Sequence, residues 1–241
     1  MTAAADRFVA AAELATRARG RLTVALAGGS TPEGLYRLLA AEPYRSCVDW
    51  PSVQVFWGDE RCVPPDDAAS NYRMGREALL DRVPIPAANI HRIRGEAEPA
   101  LAAREYEIVL RKSFGAFRGP PRPGRGFDLV LLGLGPDGHT ASLFPGSPAL
   151  LERERWTLAV RGPVAPERRV TMTPVVIRAA REVIFLVTGI EKAPALSRSL
   201  EGAVGPTEAP ARLVLPSRGA VRWLVDSSAA AGLSGATSSS A

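Results

Sequence analysis

The apolar residues of the chain fall into two patterns. Short unbroken runs, LTVALA (Leu22–Ala27), VQVFW (Val53–Trp57), FDLVLL (Phe127–Leu132) and VIFLVT (Val183–Thr188), read as strands buried on both faces. Trp156–Val160, Val170–Met172 and Arg222–Val225 are further short strand candidates. Between these runs the apolar positions recur at helical spacing. Ala3–Arg19 carries Phe8, Ala12 and Ala15 on one face and is stopped by Gly20. Glu33–Ala41 has Pro32 in its first turn. Ser70 caps a helix running to about Asp81. Glu98–Phe117 is a long amphipathic helix, a helical turn or two follows Pro174, and Glu191–Glu201 is the last helix. GPPRPGRG (119–126) is a loop by composition.

Strands alternating with helices predict an α/β fold with a mostly parallel sheet, doubly wound, with helices on both faces. There is no internal repeat and no linker, so residues 1–228 are expected to form one domain. The low-complexity segment AAAGLSGATSSSA (229–241) is expected to be a frayed tail. In such sheets ligands bind beyond the carboxyl ends of the strands. The unusual loops of this chain each follow a strand, and they should converge at that edge.

Composition narrows the field further. With 46% hydrophobic and 23% charged residues in 241, the chain is neither disordered nor membrane-spanning. Asp6 and Glu13 interrupt the N-terminal apolar stretch, which does not read as a signal peptide. Cys47 and Cys62 form neither a disulfide framework nor a CxxC motif, so a reducing, cytoplasmic setting is expected. The formal charge is +5, but the arginines are dispersed and do not interleave with aromatics. That footprint argues against nucleic acid and leaves a small anionic substrate, or plain surface charge, as its meaning.

Three loops carry chemistry. Gly28-Gly29-Ser30-Thr31-Pro32 offers close backbone approach, two hydroxyls and a helix N-terminus, a setting for a phosphate or carboxylate. The alternative is a tight turn with an ordinary helix cap. Gly58-Asp59-Glu60-Arg61 places an arginine among acidic neighbours, either aimed at an oxyanion or forming a solvated turn. Gly133-Leu134-Gly135-Pro136-Asp137-Gly138 matches G-x-G-x-x-G after a strand. Pro136 and the early breakers Pro145 and Gly146 preclude the long helix that a dinucleotide fingerprint opens. The next residue, His139, is one of two histidines in the chain and sits beside Asp137. An imidazole with an ordinary pKa of about 6.5 suits proton transfer near neutrality, and an acidic neighbour can orient it. A loop histidine that only bonds backbone is the bland alternative. Arg169 and Lys192 can add positive charge at the same edge, or be surface residues. No zinc-ligand set and no G-x-S-x-G elbow is present. One histidine base, several fixed cations and an anion pocket suit proton abstraction from water or carbon on a phosphorylated metabolite.

The blocks LAGGSTPEGLYRLL, VFWGDERCVPPDDAASNYR, FDLVLLGLGPDGHTASLFPGSP, RRVTMTP and VTGIEKAPAL, in this order, resemble the 6-phosphogluconolactonase family, from about Leu22 to Asp226. The resemblance implies a Rossmann-like fold shared with sugar-phosphate isomerases and deaminases. It implies hydrolysis of 6-phospho-D-glucono-1,5-lactone in the oxidative pentose phosphate pathway, with no metal or organic cofactor. Its site would comprise His139 as base, Asp137 as its orienter and Arg61 at the oxyanion or, alternatively, in the phosphate clamp. Gly28, Gly29, Ser30, Thr31, Arg169 and Lys192 would hold the phosphate. The only partner expected is the small phosphorylated lactone, with neither nucleic acid nor membrane, and a monomer is expected. The related glucosamine-6-phosphate deaminases continue their DGH loop with an Ile-Gly-Phe-Asn-Glu-Pro type of sequence and end their DE loop in Tyr. Here Thr140-Ala141-Ser142-Leu143-Phe144-Pro145 and Arg61 stand instead. A deaminase/isomerase activity and a non-catalytic sugar-phosphate sensor are the alternatives.

Overall fold

A computed structural model describes residues 1–115, 119, 121, 125–216 and 219–234. In chain order its elements are α1 (Thr2–Arg19), β1 (Leu22–Leu26), α2 (Ser30–Leu39), α3 (Tyr44–Cys47), β2 (Val53–Trp57), β3 (Asp59–Arg61), α4 (Asn71–Ala78) and α5 (Pro99–Phe114). There follow β4 (Leu129–Gly133), β5 (Thr157–Arg161), β6 (Arg168–Met172), α6 (Pro174–Ile177), β7 (Glu182–Val187), α7 (Ala193–Leu200) and β8 (Ala220–Val225).

The apolar runs explain the main sheet. β1 and β7 are buried along their whole length, and β4 as far as Leu132, so these are the central strands. The sheet order is β2-β1-β4-β7-β8, and every pairing is parallel. Counting only these five strands, the order is 2-1-3-4-5, and the direction of winding reverses between β1 and β4. A crevice opens at such a switch point, beyond the carboxyl ends of the two strands. The loops that leave those ends are Gly28–Thr31 and Leu134–His139.

A second, antiparallel sheet of order β3-β6-β5 departs from the single sheet expected. Its first strand is the Asp-Glu-Arg segment, which the sequence reads as a loop. Gly58 is the joint between the sheets. Its N–H bonds the Leu26 carbonyl of β1 (2.9 Å), and its carbonyl accepts from Met172 of β6 (2.8 Å). The helix caps follow local chemistry. Ser70 accepts from Arg73 N (3.1 Å), Glu98 accepts from Leu101 N (2.8 Å), and Gly115 at φ 64° ends α5 before the expected Phe117. Residues 116–118 and half of the GPPRPGRG loop (120 and 122–124) lie outside the described residues. The segment from 229 is described to Ser234. Ala229–Gly232 form a 3-10 turn in which Ala229 is buried, and residues 235–241 lie outside the description. Among the described residues no helix is long and apolar enough to cross a membrane.

Two buried tyrosines finish the strands that lead into the loops. The Tyr36 hydroxyl donates to the Ala27 carbonyl and accepts from the Ala27 N–H, both at 2.9 Å. The Tyr106 hydroxyl does the same for Trp57, both at 2.8 Å. Burial pushes both phenols far above their ordinary range. Each hydroxyl therefore stays protonated and satisfies the backbone where the ladder stops. At the opposite end of the sheet Asp128 accepts from Thr23 N and Oγ1 (2.9 Å each) and pairs with Arg19 (2.8 Å), fastening β1 to β4.

Removing the Tyr36 hydroxyl leaves two buried backbone groups without a partner. Tyr36→Phe is expected to cost about 1–3 kcal/mol for each such group, less whatever water recovers. Urea denaturation reads the loss, and an unchanged midpoint would show that the hydroxyl is dispensable.

Candidate active site

The crevice at the switch point is a cavity of about 260 Å³. Gly28 and Gly29 line it from the β1 loop, Arg61 from β3, Arg169 from β6, and Lys192 from the turn after β7. His139 lines it from the β4 loop. Six residues singled out in the sequence thus meet on one wall, although they come from five segments.

The imidazole is built locally. His139 Nδ1 lies 2.5 Å from Asp137 Oδ1, and the same oxygen accepts from His139 N (3.1 Å). Burial works to raise the Asp137 carboxyl, but the bonds and charge of His139 outweigh it and hold it below its ordinary value. Asp137 itself is not on the cavity wall; it stands behind the ring. The loop closes on itself through Gly135 N to His139 O (2.8 Å) and Gly138 N to Gly135 O (2.9 Å). The G-x-G-x-x-G spacing finds its reason here. A Cβ on Gly135 would stand 2.1 Å from His139 Nδ1, and Gly138 turns at φ 89°.

The arginines are held by backbone carbonyls. Arg61 and Arg169 are direct cross-strand neighbours in the β3–β6 register. Arg61 Nη1 donates to Ala69 O (2.7 Å), and its buried Nε has no partner among the described residues. Arg169 is 6% exposed and donates to Pro166 O (3.1 Å) and Val164 O (3.4 Å). Burial, and then the charge of Arg61, hold the Arg169 guanidinium below its ordinary value, with Asp59 opposing. Neither arginine is in an ion pair among the described residues. With Lys192 these two like charges outnumber the one carboxylate that lines the cavity, Asp59, and leave it net positive.

The hydroxyls of the first loop do not line the cavity. Ser30 is exposed, and Thr31 Oγ1 is 2.6 Å from Thr188 Oγ1. What α2 presents is its N-terminus, where the N–H groups of Ser30 and Thr31 precede the first intrahelical bond.

Several wall residues escape a reading by motif. Asn71, 2% exposed, reaches the cavity floor and donates through Nδ2 to Asp59 O (2.9 Å). Gly28 permits this, because a Cβ there would lie 2.0 Å from Asn71 Oδ1. Asp59 accepts from Ser142 Oγ (2.6 Å), tying β3 to the histidine loop. Glu60 takes the N–H groups of Arg61, Asn71 and Tyr72 (2.8, 2.7 and 2.7 Å) and so anchors α4 beside Arg61. Ala141 lines the wall at φ 48°, a conformation non-glycine residues rarely adopt. The only signal for Asn71 was its place after a capping serine, which marks a helix start rather than a site. No group of three or more His, Cys, Asp or Glu able to hold a metal occurs among the described residues.

Burial pushes the Glu60 carboxyl up to about 7, against the lowering effect of the Tyr72, Asn71 and Arg61 N–H groups, with Asp59 adding a little. The folded chain therefore binds a proton there that the unfolded chain, at its ordinary 4.5, has released. This contribution to stability is full below the unfolded value and is lost as pH rises through about 7. Glu60→Gln removes that dependence, so the stability advantage of the native chain over the variant should shrink from pH 5 to pH 8. Urea denaturation at both pH values checks this; an advantage that grows with pH contradicts it.

The chain was compared with known proteins. A family model described as glucosamine-6-phosphate isomerases/6-phosphogluconolactonase matches residues 1–223. A 6-phosphogluconolactonase of Nostoc sp. is 42% identical over 230 residues, covering 95% of this chain and 92% of the relative. One of Mycobacterium tuberculosis is 41% identical over 239 residues, covering 97% and 94%. The solved structure of 6-phosphogluconolactonase from Trypanosoma cruzi superimposes with a TM-score of 0.84 at 33% identity, covering 97% of this chain and 92% of that one.

Proposed function

The chain belongs to the glucosamine-6-phosphate isomerase/6-phosphogluconolactonase family, and on that premise we propose how its cavity performs the lactonase reaction. The reaction is hydrolysis of 6-phospho-D-glucono-1,5-lactone to 6-phospho-D-gluconate, in the oxidative pentose phosphate pathway. One observation carries the mechanism: an imidazole tethered at Nδ1 lines one cavity with two guanidinium groups that have no carboxylate partner among the described residues.

The tether sets the tautomer. With Asp137 ionised and accepting the Nδ1 proton, the Nε2 lone pair of a neutral His139 is free to take a proton from water. The 6-phosphate is held by the backbone of Gly28 and Gly29 and by the N–H groups of Ser30 and Thr31 at the start of α2. Arg169 and Lys192 supply its counter-charge. That fixes the lactone carbonyl near the imidazole. As water attacks C1, Arg61, which lines the cavity, stabilises the oxyanion. Collapse of the tetrahedral intermediate breaks the bond from C1 to the ring oxygen, which takes the proton back from His139. The product is a carboxylic acid that ionises, with a free hydroxyl on C5. A six-membered lactone is an activated ester, so a base contributing about 10²–10⁴-fold, with fixed charges, is a sufficient kit.

The exposed thiol of Cys47 and the half-buried thiol of Cys62 are both free, which suits a reducing cytoplasm. A monomer accompanies this reading, because every group assigned a role above belongs to one chain.

His139→Ala is expected to lower kcat by about 10²–10⁴-fold while leaving binding of 6-phosphogluconate nearly intact. Arg169→Ala is expected to raise KM by about 10–100-fold, the equivalent of a charged hydrogen bond worth ~1.5–3 kcal/mol. Both are read by a direct assay on freshly made lactone, corrected for spontaneous opening. Normal turnover by His139→Ala removes the base. EDTA should leave turnover unchanged, and its loss would bring a metal into the reaction.

A further inference from the structure

Phe144 touches both halves of this machinery and belongs to neither. Its ring centroid lies 4.7 Å from that of His139, tilted by 48°. The Arg169 guanidinium carbon stands 5.7 Å from the same centroid. The ring is 7% exposed. It does not line the 260 Å³ cavity; with Asp137 it lines a larger groove of about 870 Å³. Phe144 is thus a partition behind the imidazole and the guanidinium.

We propose that Phe144 is a positioning residue that fixes the His139 imidazole and the Arg169 guanidinium relative to one another, and that Gly162 reserves its place. Asp137 holds the imidazole at one atom, Nδ1, and a single bond leaves rotation about it open. The Phe144 ring supplies the second point of contact. Arg169 is anchored by two carbonyls of the β5–β6 hairpin, which pull it toward Pro166 and Val164, and the aromatic face bounds it on another side. The hairpin approaches this stack where it has no side chain. A Cβ on Gly162 would stand 2.9 Å from Arg169 Nε and 3.1 Å from Phe144 Cζ. Glycine there is required by space rather than by a positive φ. One ring therefore couples the group that takes the proton to the group that holds the phosphate.

The inference rests on the assignment of His139 and Arg169 above, and the test separates the two. Phe144→Leu keeps an apolar side chain but loses the aromatic face. It should lower kcat about 10-fold and raise both KM and the Kd for 6-phosphogluconate about 5-fold. In an Arg169→Ala background the same substitution should leave Kd where Arg169→Ala put it, because the contact it removes is already gone. Gly162→Ala, whose Cβ would press on Arg169 Nε and on the ring together, should raise Kd in the same direction, and Phe144→Met, which keeps the bulk without the aromatic face, serves if Phe144→Leu does not fold. Calorimetry on 6-phosphogluconate and lactone turnover give the numbers. If Arg169→Ala leaves Kd unchanged, the phosphate assignment fails. If Arg169→Ala weakens binding but Phe144→Leu and Gly162→Ala do not, the coupling proposed here fails alone. A Phe144→Leu protein with lower Tm but native kcat and KM would make the ring mere core filling. Additive effects in the double variant would equally overturn the coupling.

Discussion

Two guanidinium groups face each other across the β3–β6 register, and the fold has provided no acid to separate them. Like charges opposite one another in a sheet are unfavourable, and burial of Arg169 makes the pair more so. The arrangement holds because backbone carbonyls from Ala69, Pro166 and Val164 occupy their N–H groups. Carbonyls fix geometry without cancelling charge. The positive potential is therefore left for an anion to neutralise. Asp59, which also lines the cavity, bonds Ser142 and Asn71, and Glu60 is taken up by backbone N–H groups.

Bringing that pair to the switch point requires two sheets. The parallel sheet supplies the crevice between β1 and β4. The small antiparallel sheet supplies the two arginines, which its register sets directly opposite one another. Gly58 carries one segment from the first sheet into the second, bonded to β1 on one side and β6 on the other. Glu60 and Asn71 then lock α4 against the same segment.

Much of this is legible in the chain. Continuous apolar runs give the central strands, because strands covered on both faces need no polar alternation. Gly20, Pro32 and Ser70 mark helix ends for local reasons. The loops after the strands are conspicuous for glycine and charge, and the parallel-sheet rule says where they gather. What was hidden depends on partners far along the chain. Asp-Glu-Arg has no apolar residue, so nothing in it announces a strand until β6 pairs with it. Asn71 looks like any helix start, and its role comes from a glycine some forty positions earlier. Thr31 reads as an anion donor in the sequence, and nothing in it announces that its hydroxyl lies 2.6 Å from that of Thr188. The tyrosine hydroxyls that finish β1 and β2 are invisible in a pattern that counts tyrosine as apolar.

The histidine and its carboxylate lie two residues apart within a turn closed by its own backbone bonds, whereas the cations arrive on three separate segments. On the proposed assignment, reactivity and recognition are thus written in different stretches of the polypeptide. A substitution at Arg61 or Lys192 leaves the turn that builds the proton acceptor intact, whereas one at Arg169 is felt through Phe144. Such a layout lets descendants diversify in appetite while inheriting the same chemistry.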